Sequence, residues 1–177
     1  FYILQLTLEE GLGLDVGAEM QRRVFDRFGM TRTSMQWRAD FRPNLADGYG
    51  EDGSFEPHDE RSSVSAAGSM DTTIADQARL WAGIVRGEGL SAGSREELTR
   101  AQFPILSAHQ FPTLVPGGDP RGPAIGLSAG VGVVTFNDAS GPIFFKGGHN
   151  DWTGNMVICQ EARQRCVVFL ANSVRAE

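Results

Sequence analysis

Lysine is almost missing from these 177 residues: of sixteen basic side chains only Lys146 is a lysine, and the arginines are scattered along the chain. A G-x-x-x-x-G-K-[ST] phosphate loop is therefore excluded, because Phe145 precedes that lysine. The net charge is −6 and the pI about 5.1. With no basic stripe to displace counterions from phosphates, nucleic acid is not an expected partner. No apolar run approaches the ~20 residues that a membrane helix needs, so no membrane span is expected. The opening residues, Phe1 to Leu6, carry no basic stretch like that of a signal peptide. They read as the middle of an element, and with no initiator methionine they suggest a chain that starts inside a larger protein. Histidine occurs only at His58, His109 and His149, never at metal-ligand spacing, and no C-x-x-C exists. Neither a metal nor a cofactor is expected. The two cysteines, Cys159 and Cys166, would face each other across a hairpin centred on Ala162-Arg163. A cross-strand disulfide is conceivable there, but the simpler reading is two core thiols, which leaves the redox compartment open.

What remains is an ordinary globular composition, 41% hydrophobic. A chain of this size buries roughly 70% of its unfolded surface, enough for one domain with a real core. Its most informative stretch runs from Lys146 through Gly147-Gly148-His149-Asn150-Asp151-Trp152-Thr153-Gly154 to Asn155. Glycines bring the main chain to a histidine, an amide and a carboxylate between two runs of β-character. Such a strand end suits a ligand that meets backbone N–H groups. The plainer alternative is a tight hairpin with solvated polar residues.

Phe1, Leu4, Leu8 and Leu12 recur at helical spacing, ended by Gly11 and Gly13. Asp15 is a candidate N-cap for a second helix whose apolar face is Met20, Val24, Phe25 and Phe28, closed by Gly29. From Thr31 to Ser69 the pattern is irregular, with a possible short strand in 45–50. Thr73-Ile74-Ala75-Asp76 has capping-box spacing, followed by a stripe of Ile74, Ala78, Trp81, Ala82 and Val85 up to Gly87 and Gly89. Ser94-Arg95-Glu96-Glu97 suggests a second box, opening a helix that ends near Phe103-Pro104. The segment 112–123 reads as a loop. Strands are then expected over 127–136, 143–149, 156–159 and 166–172. Helices first and antiparallel strands last make an α+β chain. It is expected to be a single incomplete domain over 1–177, mainly helix and loop over 1–104 and antiparallel strands over 125–172.

Gly126-Leu127-Ser128-Ala129-Gly130 fits the G-x-S-x-G nucleophile elbow, and Asp138 and His149 follow in the chain order of that fold. An elbow needs a strand before its serine and a helix after it. Here a proline-glycine loop precedes Ser128 and β-sequence follows, so the match is read as coincidence.

Several segments together resemble the serine β-lactamase-like family, which covers class C β-lactamases, D-alanyl-D-alanine carboxypeptidases, D-aminopeptidases and related esterases. Phe1 to Gly13 resembles the helix after its Tyr-x-Asn motif, and Phe25 to Thr33 its G-M-x-x-T segment. Ala46-Asp47-Gly48-Tyr49 resembles its A-x-G-Y. Ala66 to Asp76 and Leu80 resemble the start of its S-T-x-x-D helix. His149 to Met156 with Val167 to Asn172 resembles the strand pair that carries its third active-site motif.

The resemblance implies that a serine, activated by a lysine, attacks an ester, amide or β-lactam carbonyl to form an acyl-enzyme, with a tyrosine shuttling protons. His149, Asn150, Asp151 and Trp152 become the candidate catalytic residues. His149-Asn150-Asp151 takes the place of the third motif, Lys-Thr-Gly or His-x-Gly in the family, and the N–H of Trp152 forms half of an oxyanion hole. His149 would polarise or hold a substrate carboxylate, or help proton transfer. Two departures stand out: Asp151 replaces a glycine, and no Ser-x-x-Lys or Tyr-x-Asn occurs, since residue 143 is isoleucine and neither Tyr2 nor Tyr49 precedes the needed asparagine. The family's last helix, after Asn172, is missing too. The expectation is a C-terminal portion of a serine hydrolase, inactive alone, whose partners are a small acyl, ester or peptide substrate and an absent N-terminal segment. Exposed apolar faces would let it self-associate. A non-catalytic binding or scaffolding domain of the same fold is the alternative. Family members are often periplasmic or secreted, which leaves the compartment of this chain unspecified.

Overall fold

The computed structural model describes residues 1–107, 118 and 120–174. His109 and most of the expected loop over 112–123 lie outside the described residues. The described end of that loop is a short helix, α5 (Arg121–Ala124). The architecture is the expected mixture of helices with an antiparallel sheet, and it divides into two compact units.

The first unit contains Phe1–Leu80, His149–Gly154 and the residues from Leu170 on. Helix α1 (Tyr2–Leu6) continues as a π-helical turn, Thr7–Gly11. The apolar spacing that forms this helix does not bury it, for Leu4 is 56% and Leu12 66% exposed. Helix α2 (Val16–Met20) opens as expected, with the Asp15 carboxylate accepting from Ala18 N–H at 2.9 Å. Gly29 then turns the chain at φ +63°, which lets Met30 N–H reach back to Phe25 C=O at 2.8 Å. Phe25, Met30 and Met35 form the core here, flanked by Met20, Val24 and Phe28. A two-stranded hairpin, β1 (Gly48–Tyr49) with β2 (Phe55–Glu56), completes the unit.

Helix α3 (Ile74–Val85) corrects two expectations. The Thr73 hydroxyl does cap it, accepting from Asp76 N–H at 3.3 Å. The Asp76 carboxylate does not reciprocate on the cap. It is wholly buried and accepts from Arg32 N–H and the Thr33 hydroxyl, each at 2.8 Å, while Arg79 pairs with its other oxygen. The apolar stripe fails at its start for the same reason. Ile74 is 50% exposed because the first turn of α3 buries Asp76 and Gln77 against threonines instead.

The second unit contains Trp81–Gly148 and Asn155–Phe169. Helix α4 (Ala92–Thr99) is capped by Ser91, which accepts from Ser94 N–H, so its start lies three residues before the expected box. Phe103–Pro104 is a strand, β3, and not the end of that helix. The expected long strand over 127–136 is two: β4 (Ser128–Ala129) folds back on β5 (Val134–Asp138), since Gly132 adopts φ +81° between them. With β6 (Gly141–His149), β7 (Gly154–Gln160) and β8 (Arg165–Ala171) they form a six-stranded meander in chain order. Val85, Val133, Phe144, Val157 and Cys159 form its core. Cys159 and Cys166 are joined in a disulfide, against the reading as two core thiols. The β7–β8 turn, with Gln164 at φ +50°, brings their Cα atoms to 4.1 Å.

Two stability predictions follow from burial. Asp76→Ala strands two buried donors and should cost about 3 kcal/mol in urea unfolding, where a loss below about 1 kcal/mol would contradict the clamp. Replacing both cysteines by serine releases a short loop and should cost about 2.5 kcal/mol, with thiol titration of the unreduced chain finding no free thiol.

Candidate functional site

The site is built outward from β6. Lys146, Gly147, Gly148 and His149 are consecutive on its last turn of pleat, and the strand ends at His149. Asn150 then organises the bend: its side-chain oxygen accepts from Trp152 N–H at 2.8 Å and Thr153 N–H at 2.7 Å, and from the Thr153 hydroxyl at 3.1 Å. Asn150 N–H closes the turn on Thr153 C=O at 3.1 Å. This is an Asx-type turn, the local bonding for which asparagine is suited.

Trp152 is fixed from the other side by the β1–β2 hairpin. Tyr49 N–H donates to Trp152 C=O at 3.2 Å. A β-carbon on Gly48 would lie 2.6 Å from Trp152 Cβ, and one on Gly50 would lie 3.1 Å from Trp152 Cζ3. The tryptophan therefore lies across a strand face made bare by two glycines. Tyr49, between them, points to the opposite face, where its ring meets Phe55 edge-on at 5.8 Å. Asn172 donates to Asp47 C=O at 3.0 Å and Ser173 bridges to Tyr49, so the end of the described chain backs the same hairpin.

Of the four sequence-derived candidates, His149 ends the strand, while Asn150, Asp151 and Trp152 form the turn beyond it. Trp152 N–H is engaged by Asn150 and reaches an oxyanion only if that bond opens. His149, Asn150 and Asp151 are exposed and Trp152 is partly covered. The reading at His149 passed over Lys146-Gly147-Gly148, a Lys-x-Gly sequence that lies wholly on β6. Its signal was available, because Lys146 is the only lysine in the chain. Lys146 Nζ donates to Gly147 C=O at 2.6 Å. Ser128 is buried in β4, its hydroxyl bonded to Gly126 C=O at 3.2 Å, and strand and turn follow it rather than a helix. The nucleophile-elbow geometry is absent at that serine. A hollow of about 580 Å³ beside α4, lined by Leu90, Ser91, Glu97 and Leu98, touches none of the site residues. Among the described residues no group of three or more His, Cys, Asp or Glu side chains could hold a metal ion, and no helix is long and apolar enough to cross a membrane.

The profile of a family described as Beta-lactamase matches residues 1–177. No curated protein matches the chain. Among solved structures, a penicillin binding protein from Bacillus halodurans is 21% identical, with a TM-score of 0.71 over 98% of this chain and 49% of its own. An octameric penicillin-binding protein homologue from Pyrococcus abyssi is 17% identical, with a TM-score of 0.70 over 94% and 35%. A Beta-Lactamase/D-Alanine Carboxypeptidase from Pseudomonas syringae is 13% identical, with a TM-score of 0.68 over 97% and 52%. The chain thus spans between a third and a half of those structures.

The packing of Trp152 yields a direct test. Gly48→Ala places a methyl group against the Trp152 backbone and should expose the indole, red-shifting tryptophan emission and raising acrylamide quenching. Gly68→Ala, where an added β-carbon meets nothing within 4 Å, is the control. Unchanged emission in Gly48→Ala would show that the contact is not tight.

Proposed function

The chain belongs to the Beta-lactamase family, and from that premise we propose that β6, from Lys146 to His149, is the strand wall of an acyl-transfer site in a serine hydrolase. The observation that carries this reading is Lys146-Gly147-Gly148 on the strand itself, directly before the turn that Trp152 anchors. Taken as the Lys-x-Gly form of the third motif, it removes one of the two departures, the aspartate in place of a glycine, and leaves the lack of Ser-x-x-Lys and Tyr-x-Asn. A lysine stands first and a glycine third, and Asp151 falls in the turn outside the motif. The donor following the motif is then the main-chain N–H of His149 instead of Trp152. One preorganised donor of this kind is worth about 3–4 kcal/mol to a tetrahedral intermediate. Gly147 and Gly148 leave the strand edge without side chains, so a carbonyl can approach it. Lys146 places a cation beside that edge, and the His149 imidazole would hold or polarise the acyl substrate.

In this proposal residues 1–177 are part of one incomplete domain. The attacking serine and its base come from outside them, because the single lysine follows Ile143 at three residues and no Ser-x-x-Lys can form. The substrate is an ester, amide or β-lactam. Apolar side chains such as Ile3 and Val167, 82% and 67% exposed, would support self-association. One observation favours a second reading, a binding domain that keeps the fold without its chemistry: neither Ser-x-x-Lys nor Tyr-x-Asn occurs in residues 1–177.

Nitrocefin and p-nitrophenyl ester assays of the chain should give rates at the buffer blank. Turnover abolished by Ser128→Ala would overturn the proposal by placing the nucleophile inside these residues. Sequence upstream of Phe1 separates the two readings: Ser-x-x-Lys with Tyr-x-Asn supports the hydrolase, and a long upstream stretch with neither supports the binding domain.

A further inference from the structure

His58 lies outside every motif considered above, yet it is tied into the hairpin that carries Tyr49. Its main-chain N–H donates to the Asp47 carboxylate at 3.0 Å, which closes the neck of the loop between 47 and 58. Its ring donates from Nε2 to Asp71 Oδ1 at 2.7 Å and leans on Trp37, with 4.9 Å between ring centroids. Asp71 is itself held, since its backbone exchanges both hydrogen bonds with Ser34, at 2.9 and 3.0 Å. The other ring nitrogen, Nδ1, is buried and has no partner among the described residues. A buried ring nitrogen without a hydrogen-bond partner is destabilising. The contribution of this ring therefore lies in what its Nε2 does.

We propose that His58 is a positioning residue, which locks the Asp47–His58 hairpin to the Asp71 segment and thereby sets where Tyr49 meets the Trp152 turn. This rests on reading that turn as the edge of the acyl site. The links form a short series. Asp71 holds the His58 ring, His58 N–H holds Asp47, and Gly48 and Tyr49 follow Asp47 directly onto Trp152. Removing the ring frees the neck of the hairpin on the side away from Asn172, which holds the Asp47 carbonyl alone. The core of this unit, at Phe25 and Met30, is not among the links.

The experiment is amide hydrogen exchange with two-dimensional NMR on the whole chain, without substrate. In His58→Ala the Tyr49 amide, bonded to Trp152 C=O, should exchange roughly tenfold faster, while the Met30 amide keeps its rate. The Trp152 indole resonance should move with it, and that of Trp81 should stay. His58→Gln, whose side-chain amide can still donate to Asp71, should restore both. If His58→Ala fails to fold, Asp47→Ala opens the neck alone and should give the same selective acceleration at Tyr49. Tyr49 and Met30 accelerating equally, or Tyr49 unchanged in the folded variants, would overturn the proposal. Because no turnover is read, an inactive chain leaves this result standing. Hydrolysis within the chain alone, with Tyr49 exchange still tied to His58, would retire the acyl-site reading and keep the positioning role.

Discussion

Two glycines with no room for a β-carbon hold the turn after β6 in place. Gly48 and Gly50 let the Trp152 side chain lie directly on the backbone of β1, and Tyr49 N–H between them takes the Trp152 carbonyl. Contact between an aromatic ring and bare main chain combines burial of apolar area with a satisfied polar group. It fixes the far end of the turn that Asn150 winds locally. A glycine in a strand ordinarily weakens it by entropy and lost packing. Here the lost packing is made up from a residue about a hundred positions later. The A-x-G-Y pattern, met in the sequence as a mere resemblance, thereby acquires a physical reason.

Polar groups organise the first unit as much as its apolar core does. Asp76 gathers a backbone N–H, a hydroxyl and a guanidinium around a fully buried carboxylate. His58 and Asp71 form a second pair with the imidazole mostly covered. Such pairs add little net stability when desolvation is counted, but each is satisfied in one geometry only. Asp76 and Asp71 flank the start of α3, one holding Arg32 and Thr33 and the other holding Ser34 and His58. The segment between the apolar core and the hairpin is thus held by directional bonds, which suits loops that would otherwise drift by small increments.

Much of the fold could be read from local pattern. Asp15 as a cap, Gly29 as a left-handed stop, the helical face of Met20 to Phe28 and the closing strands depend on neighbours within a turn or two. The failures share a different origin. The stripe through Ile74 and Ala78 obeyed helical period, but the first turn of α3 buries Asp76 and Gln77 because Thr33 and Thr72 supply partners for them. Gly132 divided a run of β-residues that had no proline to announce the break. Ser91 took the cap that Ser94 advertised, since both serines open plausible helices and only packing selects between them. At the site, the sequence pattern placed the end of the strand at His149, where it is found, but not the register of the motif on it. The motif was set at His149 because it is the reactive-looking residue, whereas a Lys-x-Gly sequence from Lys146 to Gly148 lies on the same strand.

In the proposed acyl site, that register would decide which substrates are preferred. With histidine at the motif's first position and Asp151 at its third, the wall would carry an imidazole and a carboxylate, and anionic substrates would be disfavoured. With Lys146 first and Gly148 third, the wall has a full positive charge and no side chain at the acyl position, and the argument against anionic substrates loses its premise. Asp151 then sits two residues beyond His149, in a turn whose conformation Asn150 and Trp152 determine. Its charge acts at longer range and is screened by solvent because the residue is exposed. Neither ester nor β-lactam is selected by charge alone in that arrangement.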